Sequence, residues 1–293
     1  MADSLTFALA QLNPIVGDKI ARRSVGCGVG GFGSGIHRRA RAMTCVRSAI
    51  GGALLVCLAI AGRHGAAHAA EAVDLALVLA VDVSRSIDDQ EFKLQREGYA
   101  AALTDPHVLK AIQSGPLRAI AVTFVEWSNE SEQRVVVDWT VLKDGETGAS
   151  IAQEILSAPR AFSGRTSISA AIDFAVRDFA RSGIEASRRI IDVSGDGTNN
   201  AGRTVTEARD EAVAAGVTIN ALAILNEHPE GVYAQYHVHP PEGLPEYFRQ
   251  NVIGGPGSFL LQVEGFASFA DAITQKLISE IAALPQATRH AAR

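Results

Sequence analysis

The sequence predicts an α/β protein: a Rossmann-like three-layer α/β/α sandwich around a mostly parallel six-stranded sheet with one antiparallel edge strand. Three observations lead there. From Ala70 onward short apolar runs alternate with amphipathic helical patterns, the rhythm of βαβ units with helices on both faces of a sheet. Several runs, Leu75 to Val81 above all, are apolar without alternation, as strands buried on both sides are. With 293 residues and 47% hydrophobic content but few aromatics, the chain can bury one Ala-rich core and carry extra segments besides.

Strands are expected near Asp74–Val81, Arg118–Glu126, Gln133–Trp139, Arg189–Val193, Val217–Leu225 and Phe259–Val263. Trp127 to Glu132 is short enough for a hairpin, so the second and third strands should pair antiparallel and place the odd strand at an edge. Helices are expected near Gln90–Leu103, Gly148–Leu156, Ser167–Arg181, Val205–Ala214, Pro245–Val252 and Phe266–Ile281. Ile168, Ala171, Ile172, Ala175 and Phe179 recur at helical spacing. Asp88 followed by Glu91 is a capping box opening the first helix, which assigns Asp88 a structural role.

Two compositions join near residue 70. Residues 1–70 carry eight Lys+Arg against two Asp+Glu, net +6, whereas residues 71–293 carry nineteen against thirty, net −11. Arg38, Arg39, Arg41 and Arg47 precede the apolar stretch Ala49 to Gly62, and Ala67-His68-Ala69 follows with the small-residue pattern of a signal-peptidase site. That stretch is shorter than the ~20 residues needed to span a bilayer. Residues 43–69 are therefore read as a cleaved signal peptide, which makes the mature protein periplasmic or secreted, without stable membrane insertion. Val56 stands where a lipobox would hold a small residue, so Cys57 is not expected to be lipidated.

A signal starting at Met1 would have far too long a basic region, whereas Met43 gives an ordinary one. Residues 1–42 are expected to lie upstream of the true start as a non-native leader. Leu5 to Asp18 resembles the opening strand of the amidase domain of glutamine-dependent NAD synthetases, but nothing downstream continues it, and no Cys follows Cys57. Gly26-x-Gly28-x-x-Gly31 lacks a strand before it and a helix after it, which excludes a dinucleotide site. Cys27, Cys45 and Cys57 all precede the expected cleavage point, so the mature chain has neither disulfides nor thiol catalysis. Residues 70–285 form the expected domain and 286–293 a tail.

The chemistry-bearing feature sits at the end of the first strand. Asp82, Ser84 and Ser86 alternate along an extended segment where it should reach solvent, so three oxygen side chains face one way. One carboxylate and two hydroxyls suit a hard cation such as Mg²⁺, which prefers six oxygens. Two later segments can add donors: Ser163-Gly164-Arg165-Thr166-Ser167 before a helix, and Ser194-Gly195-Asp196-Gly197 after a strand. A lone Asp-x-Ser-x-Ser is also what a turn or an N-cap looks like. The three segments in order distinguish the two.

Asp82-x-Ser84-x-Ser86, Gly164-x-Thr166 and Asp196-Gly197 together resemble the metal-ion-dependent adhesion site of von Willebrand factor A domains. The resemblance runs from about Asp74 to Ile281. It implies that Ser84, Ser86 and Thr166 approach a metal through hydroxyls, while Asp82 and Asp196 bind directly or through water. Gly195 departs from the family pattern, which usually has Thr or Ser there to make a supporting hydrogen bond. Tyr247 to Gly257, with Phe266 to Ile281 after it, further resembles a bacterial group of secreted single-domain proteins of this kind.

The function implied is a divalent-cation-dependent protein-binding module for adhesion or scaffolding. The ion would be Mg²⁺, with Mn²⁺ or Ca²⁺ as alternatives, and would accept an Asp or Glu carboxylate from a protein partner. The alternative is a metal-dependent hydrolase in which His237 and His239, from the Pro-rich segment Asn226 to Gly243, fold over the same ion. No His or Lys lies in the three site segments to act as general base, so no catalytic residue is assigned and the chain is read as a non-enzyme. The acidic balance excludes nucleic acid as a partner, because phosphate neutralisation needs a basic face.

Overall fold

The structure is a computed structural model that describes residues 71–225, 240–265 and 268–282. Its central element is β2 (Leu75–Asp82), every residue of which is buried. Parallel neighbours flank it on both sides: β3 (Ile120–Trp127) on one and β6 (Arg189–Gly195) on the other. The sheet continues outward from β3 to β4 (Gln133–Leu142), and from β6 to β7 (Thr218–Leu225) and β8 (Leu260–Glu264). Only the β3–β4 pair is antiparallel, joined by the hairpin the sequence suggests, so the odd strand is an edge.

Side-chain alternation along β2 sorts the core into two layers. Leu75, Leu77, Leu79 and Val81 face a cluster that includes Tyr99, Leu103, Ile151, Ile273 and Leu277. These come from α1 (Asp89–Thr104), α3 (Gly145–Ser157) and α7 (Phe269–Ala282). Ala76, Val78 and Ala80 face Ile168, Ile172, Ala175, Ala208, Ala212 and Phe248. These belong to α4 (Ile168–Arg181), α5 (Val205–Ala214) and α6 (Leu244–Asn251). With both faces covered, β2 has no polar alternation to show, which is why its run reads as continuously apolar.

The first helix begins as its sequence suggests: Asp88 accepts from the Gln90 and Glu91 amides, and the Glu91 carboxylate accepts from the Asp88 amide. Close helix packing is set by glycine at one position in particular. A Cβ on Gly148 of α3 would lie 2.6 Å from the Leu103 carbonyl oxygen of α1, so only a hydrogen there lets the two backbones approach.

Three elements were not expected. The helix α2 (Pro106–Gln113) follows directly on α1, with Asp105 as N-cap and Pro106 at its start, a start signal compressed into two residues. A separate two-stranded sheet pairs β1 (Glu71–Val73) with β5 (Ile184–Ala186), each too short to show any period. The β4 strand also runs on to Leu142, three residues past its expected end, with register shifts opposite Val122 to Val125.

Beneath the sheet end lies a buried charge cluster. Lys276 of α7 meets Asp192 of β6 at 2.5 Å and Glu280 at 2.6 Å, all three fully buried, and Asn220 of β7 donates to Glu280 at 2.9 Å. Burial and the nearby Glu280 push Asp192 up to about 7. Burial alone would pull Lys276 down, yet Asp192 and Glu280 outweigh it and hold the ammonium above its ordinary value. Two carboxylates thus share one cation.

Candidate metal centre

The strand order places the site. From β2 the chain moves first to β3 on one side and later to β6 on the other, so the carboxyl ends of β2 and β6 border the point where the winding reverses. Register does the rest: Val81 of β2 pairs with Ser194 of β6, which sets Asp82 beside Gly195 and one residue from Asp196.

All five residues singled out in the sequence meet there in one hydrogen-bonded set. The Ser84 amide donates to Asp82 Oδ1 at 2.7 Å, and Ser84 Oγ lies 3.2 Å from Ser86 Oγ. Ser86 Oγ donates to Asp196 Oδ1 at 2.7 Å, and Thr166 Oγ1 donates to Ser84 Oγ at 3.3 Å. Each of the five is buried to within 6%. Three segments distant in the chain therefore bring two carboxylates and three hydroxyls to one place.

The electrostatics of this set are unfavourable without a cation. Burial, and then the Asp196 carboxylate, push Asp82 up to about 8, against the pull of the Ser84 hydrogen bond. Asp82 Oδ2 is buried with no hydrogen-bond partner among the described residues. It faces Gly195, where an added Cβ would stand 3.1 Å away. The glycine thus offers Oδ2 no side-chain hydroxyl. Two buried carboxylates and three hydroxyls fit a hard divalent cation, which would supply the missing positive charge.

Several residues that sequence reasoning passed over build the frame. The Arg160 guanidinium donates to the carbonyls of Val83, Ser84 and Ile87 at 2.8 to 3.0 Å. Gln95 donates to the Asp82 carbonyl at 2.9 Å. Asn200 holds the Thr166 backbone at both ends, its Oδ1 accepting from the Thr166 amide at 3.0 Å and its own amide donating to the Thr166 carbonyl at 2.8 Å. Asn199 accepts from the Ser169 amide at 3.0 Å and donates to the Arg203 carbonyl at 3.1 Å. The one signal in the sequence is the pair Asn199-Asn200 close behind Asp196, amide side chains suited to tying loops together.

The Arg96–Glu126 ion pair is buried behind this frame, and Glu126 Oε2 accepts from the Ala161 amide at 2.9 Å, which anchors the segment leading to Thr166. Beside the site, a cavity of about 460 Å³ opens between Asn199 to Thr206 and the α6 residues Tyr247 and Asn251. His237 and His239, with the rest of 226–239, lie outside the described residues, as do the expected leader, signal peptide and tail. Among the described residues no three His, Cys, Asp or Glu side chains gather as a metal cluster, and no helix is long and apolar enough to cross a membrane.

A family model described as "Protein of unknown function (DUF1194)" matches residues 72–285. No curated protein matches the sequence. Among solved structures, the open conformation of the pilus adhesin SpaC from Lactobacillus rhamnosus GG aligns with a TM-score of 0.50 at 15% identity, over 72% of this chain and 30% of that one. A von Willebrand factor type A protein from Catenulispora acidiphila aligns with a TM-score of 0.48 at 13% identity, over 72% and 42%. Proximal thread matrix protein 1 from the mussel byssus, in a form with a zinc-occupied MIDAS motif, aligns with a TM-score of 0.47 at 15% identity, over 71% and 47%. This chain spans less than half the length of each of these three, and the likeness is one of fold.

Proposed function

The chain belongs to the DUF1194 family, and from that premise we propose that it is a divalent-cation-dependent protein-binding module. The ion, Mg²⁺ by preference and Mn²⁺ or Ca²⁺ otherwise, is held by Asp82, Ser84, Ser86, Thr166 and Asp196. A partner's Asp or Glu carboxylate completes the coordination. The protein works outside the cytoplasm, in the periplasm or secreted, after cleavage near Ala69 of a signal peptide that begins at Met43.

The observation that carries this reading is the convergence of the five oxygens at the sheet end, where burial and then Asp196 push Asp82 up to about 8. A bound cation supplies that charge and an exchangeable position for an acid group. Asp82 and Asp196 balance its two charges, and the hydroxyls orient it without adding charge, so an incoming carboxylate is attracted rather than repelled. The donor set favours binding over catalysis, since its carboxyl and hydroxyl groups would be taken up as ligands of the ion and no His or Lys stands among them to serve as general base.

Calorimetric titration with Mg²⁺, Mn²⁺ and Ca²⁺ tests the site. Wild type should bind one equivalent, while Asp82→Ala and Asp196→Ala should bind none and keep their circular dichroism. Equal binding by all three would place the metal elsewhere. For the partner, proteins retained from envelope extract should be lost both on chelation and with Asp82→Ala; retention indifferent to both would sink the adhesion reading.

A further inference from the structure

The Asp82–Ser86 loop has two faces, and one arginine owns the second. Arg160, with its side chain 18% exposed, lies behind the loop. Its Nη2 donates to Val83 O at 3.0 Å, Ser84 O at 2.9 Å and Ile87 O at 2.8 Å, and its Nε donates to Phe162 O at 3.0 Å. The guanidinium carbon stands 5.2 Å from the Phe92 ring centroid, and Nη1 lies 3.6 Å from Asp89. The loop amides turn elsewhere: Val83 N to Trp127 O, Ser84 N to Asp82 Oδ1, and Arg85 N to Gly164 O. The carbonyls therefore point at Arg160, while the hydroxyl of Ser84 meets Thr166 and that of Ser86 meets Asp196.

Backbone carbonyls are themselves hard ligands. Ca²⁺ takes six to eight oxygens in flexible shells and uses carbonyls freely, whereas Mg²⁺ demands a small, near-octahedral shell and keeps several waters. Which of a loop's oxygens are left for the ion therefore decides which kind of shell it offers. The always charged guanidinium of arginine gathers the three loop carbonyls on Nη2 while Nε ties it to Phe162 O.

We infer that Arg160 is a positioning residue that sets the cation preference of this site. By engaging the carbonyls of Val83, Ser84 and Ile87 it withholds them from the ion, which leaves a compact set of carboxylates and hydroxyls matched to Mg²⁺ rather than Ca²⁺. This rests on the metal reading above and adds to it which part of the chain discriminates between ions.

The test is the ratio of Mg²⁺ to Ca²⁺ affinity, measured calorimetrically with each metal alone on the full chain, for wild type, Arg160→Gln and Arg160→Lys. Arg160→Gln should shift the ratio toward Ca²⁺ by about tenfold, the lower end of what outer-sphere changes do to metal sites. Arg160→Lys should shift it by about threefold, because the ammonium keeps the charge but loses the second anchor that Nε makes to Phe162 O, and so holds the three carbonyls less firmly. If Arg160→Gln fails to fold, the lysine variant alone decides. Were Arg160 a scaffold only, both affinities would weaken together, and an unchanged ratio in the folded variants overturns the inference. Wild type and Asp82→Ala behaving alike would instead overturn the metal reading beneath it.

Discussion

Asp82→Asn should make the metal-free protein more stable at neutral pH while abolishing its response to metal. In the unfolded chain Asp82 titrates near 3.8, and in the fold near 8, because burial and then Asp196 disfavour its charge. Between those values the native state holds a proton that the unfolded state has released, so stability falls as pH rises through this window and levels off above it. The slope for one proton is about 1.4 kcal/mol per pH unit, which by pH 7.5 sums to a ceiling of about 5 kcal/mol. For a domain of this size each kcal/mol moves Tm by about 2 to 4 °C, so chelated wild type should lose about 3 to 6 °C per pH unit from Asp82.

Asparagine keeps the size of the side chain and an oxygen for the Ser84 amide, but carries no charge to disfavour. Asp192, pushed up to about 7, adds a slope of the same sign to both proteins, so the difference between them isolates Asp82. Carboxylates held low in the fold, such as Asp138 by Arg181 and Glu211 by Arg203, act in the opposite sense and only in acid. The assay is thermal melting in chelator at pH 5, 6, 7 and 8, repeated with saturating Mn²⁺. Wild type and variant should differ least at pH 5 and part steadily toward pH 8, with the variant higher. Metal at a hundred times Kd should add about 2.7 kcal/mol to wild type alone. Parallel pH profiles, or equal metal shifts in the two proteins, would refute the account of a charge-starved acidic pair.

Two further outcomes are expected from the scaffold. Gly148→Ala puts a methyl 2.6 Å from the Leu103 carbonyl oxygen, and since that backbone is fixed in α1 the helices must part; urea denaturation should show a loss of about 1 to 3 kcal/mol, and no loss would mean α3 shifts freely. Lys276→Met strands Asp192 and Glu280 without their cation and should cost about 3 to 5 kcal/mol, whereas adding Asp192→Leu and Glu280→Gln to it should recover most of that; a single variant as stable as wild type would show the cluster to be water-filled rather than dry.

Much of this architecture is written in local pattern. Leu75 to Val81 announces a strand buried on both faces because both of its neighbours are parallel strands under helices. Helix α5 begins and ends where its sequence indicates, and Asp88 with Glu91 caps α1 through the expected reciprocal bonds. The short pair β1–β5 left no trace, since three residues cannot display a period, and α2 was hidden by its closeness to α1. At the site, Asp82, Ser84, Ser86, Thr166 and Asp196 were legible because each carries its own oxygen and sits at an element's end.

The sequence by itself determined which oxygens were available and on which strand ends they stand, because alternation along a strand and the boundary of an apolar run are local properties of the chain. Only the tertiary structure decided that they meet. The register of Val81 against Ser194 sets Asp82 beside Gly195, and burial with the neighbouring Asp196 then raises Asp82 to about 8. The framing roles of Arg160 and Asn200 depend on which backbone groups happen to come within reach, and long-range approach of that kind leaves no periodic mark on the residues that exploit it.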